Sequence, residues 1–180
     1  RRAVGVVDRE SLAPATCGTL YAIGSVTKTF TTTLLVMLRD EGVIALDDPI
    51  SRYLPPDLPL PSNPRGDAHI TLRHLATHTS GLPRLPPNLM GLLPDPYGSY
   101  TAEHLYRALA SGGLIAPIGS KCQYSNFGMG LLGHLLERAA GRSFDELLEQ
   151  RIFQPLEMTD SHARPTPELL ERMARPYKGE

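Results

Sequence analysis

Ser25 and Lys28 have the residue types and the spacing for nucleophilic catalysis in this 180-residue chain. They begin a segment whose apolar residues recur with helical spacing to about Glu41, where Gly42 ends the pattern. Residues three apart on a helix share a face, so the lysine amine can reach the serine hydroxyl. A serine becomes a nucleophile when a base takes its proton, and a lysine is such a base when desolvation or a neighbouring cation lowers its pKa. The helix N-terminus also supplies N–H groups where an oxyanion would form.

Tyr124, Ser125 and Asn126 form a second candidate cluster further along the chain. A phenol here could pass a proton to and from the Ser25–Lys28 pair, and the Asn126 amide could bind a substrate carbonyl. Each cluster alone also has a structural interpretation. The first resembles a serine cap followed by a lysine, and the second a packed tyrosine beside a capping Ser or Asn. Their occurrence in this order favours the chemical interpretation.

The elements that must position these residues are mainly helices. Two short extended segments are predicted at residues 3–8 and 19–23. The predicted helices cover residues 25–41, a turn or two after an Asp48 cap, then 71–78, 101–111, 127–140, 143–152 and a short segment from Thr166.

Long loops are predicted where prolines cluster, since eleven of the seventeen lie between Pro49 and Pro96. The loop at residues 84–100 is the expected place for substrate selectivity.

Composition excludes several classes of function. The hydrophobic share of 41% and the charged share of 21% are typical of a globular domain. A formal net charge of −1 gives no electrostatic basis for binding nucleic acid or an anionic membrane. No apolar run reaches the roughly 18 residues that cross a bilayer, so no transmembrane segment is predicted. Cys17 and Cys122 are too few and too far apart for a disulfide framework, and both are predicted to be free thiols.

A metal site is not predicted. His74 and His78 are four apart on a predicted helix and could in principle ligate a metal. The zincin pattern needs Glu after the first His, where this chain has Leu75, and no third ligand is evident. A structural role for His78 is therefore preferred, and Asp47 and Asp48 are interpreted as helix caps rather than paired acid catalysts.

Five stretches together resemble the penicillin-recognising serine hydrolases, in the branch of class C β-lactamases, D-alanyl-D-alanine carboxypeptidases and β-lactamase-like esterases. In chain order they are residues 23–31, 75–83, 124–133, 141–144 and 152–161. The resemblance implies an α/β (α+β) fold with a helical domain packed on an antiparallel sheet, whose C-terminal strands lie outside this chain. Residues 1–180 would form one incomplete domain, with an N-terminal strand region at 1–24 and the helical part at 25–180.

The resemblance also implies a role for each candidate residue. Ser25 would be the acylated nucleophile and Lys28 its hydrogen-bonded activator. Tyr124 would be the proton shuttle or the anionic base, and Asn126 a contact to the substrate and to Lys28. The backbone N–H of Ser25 would be one oxyanion-hole donor. A tyrosine where other classes place a serine favours the class C side.

One family motif is missing. It consists of Lys or His followed by Thr or Ser and Gly on a strand, and no such segment follows Asn126. Thr79-Ser80-Gly81 is superficially similar but lies upstream, in a stretch that matches another part of the family pattern. We therefore expect about half of a complete hydrolase, with the second oxyanion donor and the last strands supplied by a C-terminal half of the same protein.

The expected reaction is acyl transfer through an ester on Ser25, which water or another acceptor then releases. The substrate would be a small molecule or peptide: a β-lactam, a D-Ala-D-Ala peptide or a small ester, with esterase or peptidase activity preferred. No cofactor is expected. The alternative is a catalytically incomplete binding or scaffold protein of the same fold. A peptidase or β-lactamase would be periplasmic or secreted, and an esterase cytoplasmic.

Overall fold

The computed structural model describes residues 2–63, 66, 68–92 and 95–175. The chain divides into two compact units: a terminal unit of Arg1–Phe30 with Asp145–Glu180, and a central unit of Thr31–Phe144. The predicted loops fall partly on residues 64, 65, 67, 93 and 94, and these positions lie outside the described residues.

Helices make up most of the regular structure that is described. The α-helices are α1 (Thr27–Asp40), α2 (Leu72–Ala76), α3 (Ala102–Ser111), α4 (Asn126–Ala140), α5 (Phe144–Leu148) and α6 (Pro167–Leu170). Short 3-10 turns occupy Gly24–Val26, Ile50–Tyr53 and Leu89–Leu92, and a π-helical turn, Glu149–Phe153, follows α5. Among the described residues, none of the helices has the length and apolar character needed to cross a membrane.

Helix α4 lies in the core of the central unit, where it packs against α2 and the Ile50–Tyr53 turn. The apolar residues that mark this helix in the sequence are buried, and so are Phe127 and two of its glycines: Phe127, Gly128, Met129, Leu131, Leu132, Gly133, Leu135 and Leu136. Burying one leucine side chain contributes roughly 1.5–3 kcal/mol to folding. The helix ends at Gly141, which has a φ of 64° and donates its N–H to Glu137.

Helices α2 and α3 begin with the same unusual cap. Thr71 and Thr101 each accept an N–H from the histidine three residues on, and that histidine's Nδ1 accepts the N–H of the threonine. Histidine thus takes the place that Glu or Gln fills in the ordinary capping box. Burial lowers the pKa of His74, which favours the neutral ring that this acceptor role requires.

The two predicted extended segments form isolated bridges rather than strands. Val6 pairs antiparallel with Pro14, and Leu20 pairs in parallel with Met173. Both bridges lie in the terminal unit. In the part of the chain that the structure describes, no longer ladder is present, so the details of the expected sheet stay a prediction.

The prediction that Asp48 caps a helix is wrong. Pro49, in extended conformation, precedes the 3-10 turn Ile50–Tyr53, and no side chain caps it. Asp48 instead accepts the N–H of Ala45 at 2.7 Å and a guanidinium N–H of Arg52 at 2.9 Å. A cap would have required a helix that starts at Pro49, and Pro49 is extended. The Asp48 carboxylate therefore holds the turn together by binding groups before and after it.

The hydroxyl of Tyr53 completes this anchor by donating to Asp48 Oδ2 at 2.5 Å. The carboxylate is buried, and the hydrogen bond from Tyr53, followed by that from the Ala45 N–H, lowers the pKa of Asp48. Burial, together with the neighbouring Asp48, raises the pKa of Tyr53 to about 12. The neutral phenol and the charged carboxylate therefore stabilise each other across the neutral range.

Asp48→Asn is expected to lower the free energy of unfolding by about 1–3 kcal/mol at neutral pH, because it removes charge-assisted hydrogen bonds from a buried site. Asp47→Asn is the matched control. Asp47 pairs with Arg73 through two hydrogen bonds but is exposed, so its loss should be much smaller. Urea denaturation of the three proteins measures both effects.

The pH dependence follows from the lowered pKa of Asp48. Its stabilisation is present above its ordinary value of 3.8 and is lost as pH falls through the folded-state value. The gap between wild type and Asp48→Asn should therefore narrow below about pH 4. A gap that stays constant into strong acid, or equal losses for both variants at neutral pH, would contradict this assignment.

Candidate functional site

Ser25 and Lys28 are joined by a hydrogen bond in the terminal unit. Lys28 Nζ donates to Ser25 Oγ over 3.1 Å, with Ser25 exposed and Lys28 half-buried. Ser25 lies in the 3-10 turn Gly24–Val26, and Lys28 is the second residue of α1. Because residues three apart nearly eclipse in a 3-10 turn, this start brings the amine over the hydroxyl. The contact expected from the sequence spacing is thus present.

Gly24 sets the direction in which the chain enters this turn. Its φ is +53°, in the left-handed region, where a residue with a β-carbon is disfavoured by roughly 1–2 kcal/mol. Among the described residues, no atom beyond its two chain neighbours lies within 4 Å of the place where its Cβ would be, so the requirement for glycine comes from the backbone alone. The chain changes direction here, one residue before Ser25.

Ser125 fixes the second cluster by capping α4 in the central unit. Its Oγ accepts the N–H of Gly128 at 2.8 Å and donates to the carbonyl of Pro83 at 2.6 Å. The residue is 1% exposed. Tyr124 is consequently the last residue before the cap, and Asn126 is the first residue of the helix.

Residues 78–84, here called the cradle segment, hold the turn that carries Tyr124. Gln123 donates its N–H to the carbonyl of His78 at 2.7 Å. On the other side, Asn126 donates its N–H to the carbonyl of Arg84 at 2.8 Å. The sequence did not predict this role. The stretch at 75–83 was recognised as similar to the family, but no function was assigned to its residues.

Gly81 allows the cradle segment to pack closely against its other neighbour. Its φ is 77°, and a Cβ at this position would lie 2.2 Å from the carbonyl oxygen of Ala116. Gly81 also accepts the N–H of Ile115 at 2.8 Å, and Ser80 is 1% exposed. Ser80 and Gly81 thus form a buried packing turn that follows the half-buried Thr79.

The side chains of the second cluster differ in their surroundings. Tyr124 is 36% exposed, and the guanidinium carbon of Arg84 lies 5.2 Å from its ring centre. Asn126 Oδ1 is buried and accepts no hydrogen bond from the described residues, and the same holds for Gln123 Oε1. Buried amide oxygens normally have a donor, so each of these two unpaired acceptors calls for an explanation.

The two predicted pairs therefore lie in different units, Ser25 with Lys28 in the terminal unit and Tyr124 with Asn126 in the central unit. The roles of these four residues stay predictions.

No metal cluster is formed: among the described residues, no three His, Cys, Asp or Glu side chains are grouped to hold an ion. The prediction that His74 and His78 share one helix is wrong, since α2 ends at Ala76 and His78 has a φ of 58°. His74 caps its own helix, as described above.

The family model for Beta-lactamase matches residues 1–180. The chain belongs to the β-lactamase family. D-alanyl-D-alanine-carboxypeptidase/endopeptidase AmpH of Escherichia coli strain K12 is 37% identical over 158 residues, which cover 87% of this chain and 40% of the relative. Esterase EstB of Burkholderia gladioli is 35% identical over 98% of this chain and 46% of its own length.

The fold is also that of the family. The β-lactamase/D-alanine carboxypeptidase of Yersinia pestis, solved in complex with citrate, superposes with a TM-score of 0.87 at 34% identity. The match covers 97% of this chain and 49% of that protein. The family resemblance and the β-lactamase-like fold predicted from the sequence are thereby confirmed. The chain spans 40–49% of the length of these three relatives.

Ser125→Ala is expected to lower the free energy of unfolding by about 2 kcal/mol or more, because it leaves the carbonyl of Pro83 and the N–H of Gly128 without their buried partner. Ser120→Ala is the matched control, since Ser120 also donates to a proline carbonyl, that of Pro117 at 2.7 Å, but is exposed. Its effect should stay within about 0.5 kcal/mol. Chemical denaturation compares the two, and equal losses would show that the Ser125 contacts do not stabilise the turn.

Proposed function

We propose that this chain carries the nucleophile of a serine hydrolase that transfers acyl groups through an ester on Ser25. The observation that carries the proposal is the 3.1 Å hydrogen bond between Lys28 Nζ and Ser25 Oγ at the start of α1. An amine in contact with a serine hydroxyl is the arrangement that activates such a nucleophile. Membership of the β-lactamase family supports the same chemistry, since its relatives include a carboxypeptidase and an esterase.

In the proposed reaction, Ser25 Oγ attacks the substrate's carbonyl carbon. The new Oγ–C bond forms as the bond to the leaving amine or alcohol breaks. The hydroxyl proton passes to the Lys28 amine and, through Tyr124, to the leaving group. The backbone N–H of Ser25, at the N-terminal end of a helical segment, is assigned as one oxyanion donor. Water then cleaves the ester, which releases the acid and restores Ser25.

Asn126 is proposed to contact the substrate and Lys28. Support comes from its Oδ1 atom, which is buried and accepts no hydrogen bond from the described residues. A substrate N–H or an N–H of the Lys28 side chain would each supply the donor that this oxygen lacks.

The substrate is proposed to be a D-Ala-D-Ala-type amide, a small ester or a β-lactam. AmpH is 37% identical and EstB 35%, and a β-lactamase of Pseudomonas fluorescens is likewise 37% identical, so the three substrate classes are supported to a similar degree. We further propose that a C-terminal half of the same protein supplies the missing motif, because the chain spans 40–49% of AmpH, of EstB and of the Yersinia pestis protein.

The loop at residues 84–100 is proposed to select among substrates. Asn88 anchors it by donating to the carbonyl of His104 at 2.8 Å and accepting the hydroxyl of Tyr100 at 2.9 Å. Burial raises the pKa of Tyr100 to about 12, so this phenol remains a donor across the neutral range. Tyr97, at 66% exposure, is a side chain of the loop that a substrate could meet.

Labelling with a fluorophosphonate and with a fluorescent penicillin tests the nucleophile. We expect a mass adduct on Ser25, together with hydrolysis of p-nitrophenyl acetate that Ser25→Ala lowers by about a hundredfold or more. Ser51→Ala, at an exposed serine of the central unit, should leave both signals unchanged. Absence of any adduct, with hydrolysis unaffected by Ser25→Ala, would reject the hydrolase and favour the binding or scaffold protein.

Tyr124→Phe tests the proton transfer separately. Removing the phenolic hydroxyl should lower the acylation rate constant by about a hundredfold and leave the affinity for the probe nearly unchanged, because general acid–base catalysis acts on the transition state. Tyr21→Phe is the control for loss of a hydroxyl from an exposed tyrosine, since Tyr21 is 62% exposed and has no proposed role in the reaction. Stopped-time labelling over a range of probe concentrations separates the rate constant from the affinity. Equal rates for Tyr124→Phe and wild type would exclude Tyr124 from proton transfer.

A further inference from the structure

His78 contacts the Tyr124 turn in three ways. Its carbonyl accepts the N–H of Gln123 at 2.7 Å, and its Nδ1 atom accepts the N–H of Ser125 at 3.2 Å. Its ring centre lies 4.7 Å from that of Tyr124, with the planes tilted by 40°. One residue thus bonds the chain on both sides of the tyrosine and also touches its side chain.

The backbone of His78 makes these contacts possible. Its φ of 58° is in the left-handed region, where few residues other than glycine occur and histidine is enriched several-fold. The chain leaves α2 at this point, since Thr79 donates its N–H to the carbonyl of His74 at 2.9 Å. Such strained conformations persist where the surrounding structure requires them, often at functional sites.

The hydrogen bond to Ser125 also defines the state of the ring. A backbone N–H can only donate, so Nδ1 of His78 must accept and carries no proton. The neutral ring therefore holds its proton on Nε2. A side chain without an acceptor at this position would leave the Ser125 N–H with no partner among these contacts.

We infer that His78 is a positioning residue, which fixes where Tyr124 stands by bonding the peptide groups before and after it. This inference rests on the proposed role of Tyr124 in proton transfer. The hydroxyl of Ser125 secures the start of α4 through its bonds to Gly128 and Pro83. The His78 side chain contacts the Ser125 N–H and the Tyr124 ring, so its loss displaces the phenol while the helix cap stays in place. Misplacing a catalytic group by about 1 Å can cost a hundredfold in rate.

Two variants separate the acceptor from the ring. His78→Asn keeps an acceptor near the position of Nδ1 and tolerates a positive φ, whereas His78→Phe keeps an aromatic ring and has no acceptor. We expect His78→Phe to lower the acylation rate constant by about tenfold or more, with probe affinity unchanged within about twofold. His78→Asn should stay within about threefold of wild type. The reverse ranking would overturn the assignment of the acceptor.

A double-mutant comparison distinguishes positioning from stability. If His78 acts through the hydroxyl of Tyr124, His78→Phe has no further effect on acylation in the Tyr124→Phe protein. Its effect on thermal unfolding, by contrast, should be similar in both backgrounds. An equal loss of acylation with and without the hydroxyl would overturn the inference and leave His78 a structural residue.

Two measurements on the unlabelled protein do not depend on turnover. Nitrogen-15 spectra of the histidine ring should show the proton of His78 on Nε2, and amide exchange at Ser125 should be about tenfold faster or more in His78→Phe but not in His78→Asn. If no adduct forms on Ser25 while both results hold, the proposed function fails and the His78 contact stands. A proton on Nδ1, or unchanged exchange in His78→Phe, overturns the contact itself.

Discussion

The hydrogen bonds between the cradle segment and the Tyr124 turn are the interaction on which the second cluster depends. They join chain segments that are distant in sequence. Three of the five join two backbone groups, and the other two join a backbone group to the side chain of His78 or Ser125. Backbone partners constrain the path of the chain and leave most side chains free to vary. The few residues with strict requirements are those that let the segments approach: Gly81 against Ala116, Ser125 beneath the helix, and His78 in its left-handed conformation.

Local features of this structure could be predicted from the sequence because local physics determines them. The apolar spacing and end signals placed α1, α3 and α4 within a few residues, and the Ser25–Lys28 contact followed from a spacing of three. The helix start at Thr101 was predicted, but the bonds that His74 and His104 return to their threonines were missed, because histidine is not the usual partner in a capping box. Asp48 was misassigned because a turn brings its partners Ala45, Arg52 and Tyr53 together, and hydrophobic periodicity does not predict the path of a turn.

The candidate site could be predicted less completely, for the same reason. The order of the motifs identified the family, which the match over residues 1–180 confirmed. Which main-chain groups support Tyr124 depends on contacts between residues forty or more positions apart, and sequence spacing carries no information on these. The stretch at 75–83 was recognisable as a family feature, but only its hydrogen bonds to the Tyr124 turn show its structural role.

Gly24 and Gly81 differ in what a substitution would meet, and the difference affects how such positions are recognised. At Gly81, both the backbone angle and the carbonyl of Ala116 oppose a side chain. At Gly24 no other described residue beyond its chain neighbours comes within 4 Å of a Cβ, and only the positive φ opposes one. A contact map would therefore rank position 24 among the freely variable surface sites. Choosing mutable positions by crowding alone would therefore include position 24. A substitution there would change the backbone conformation just before Ser25, although it would create no steric clash.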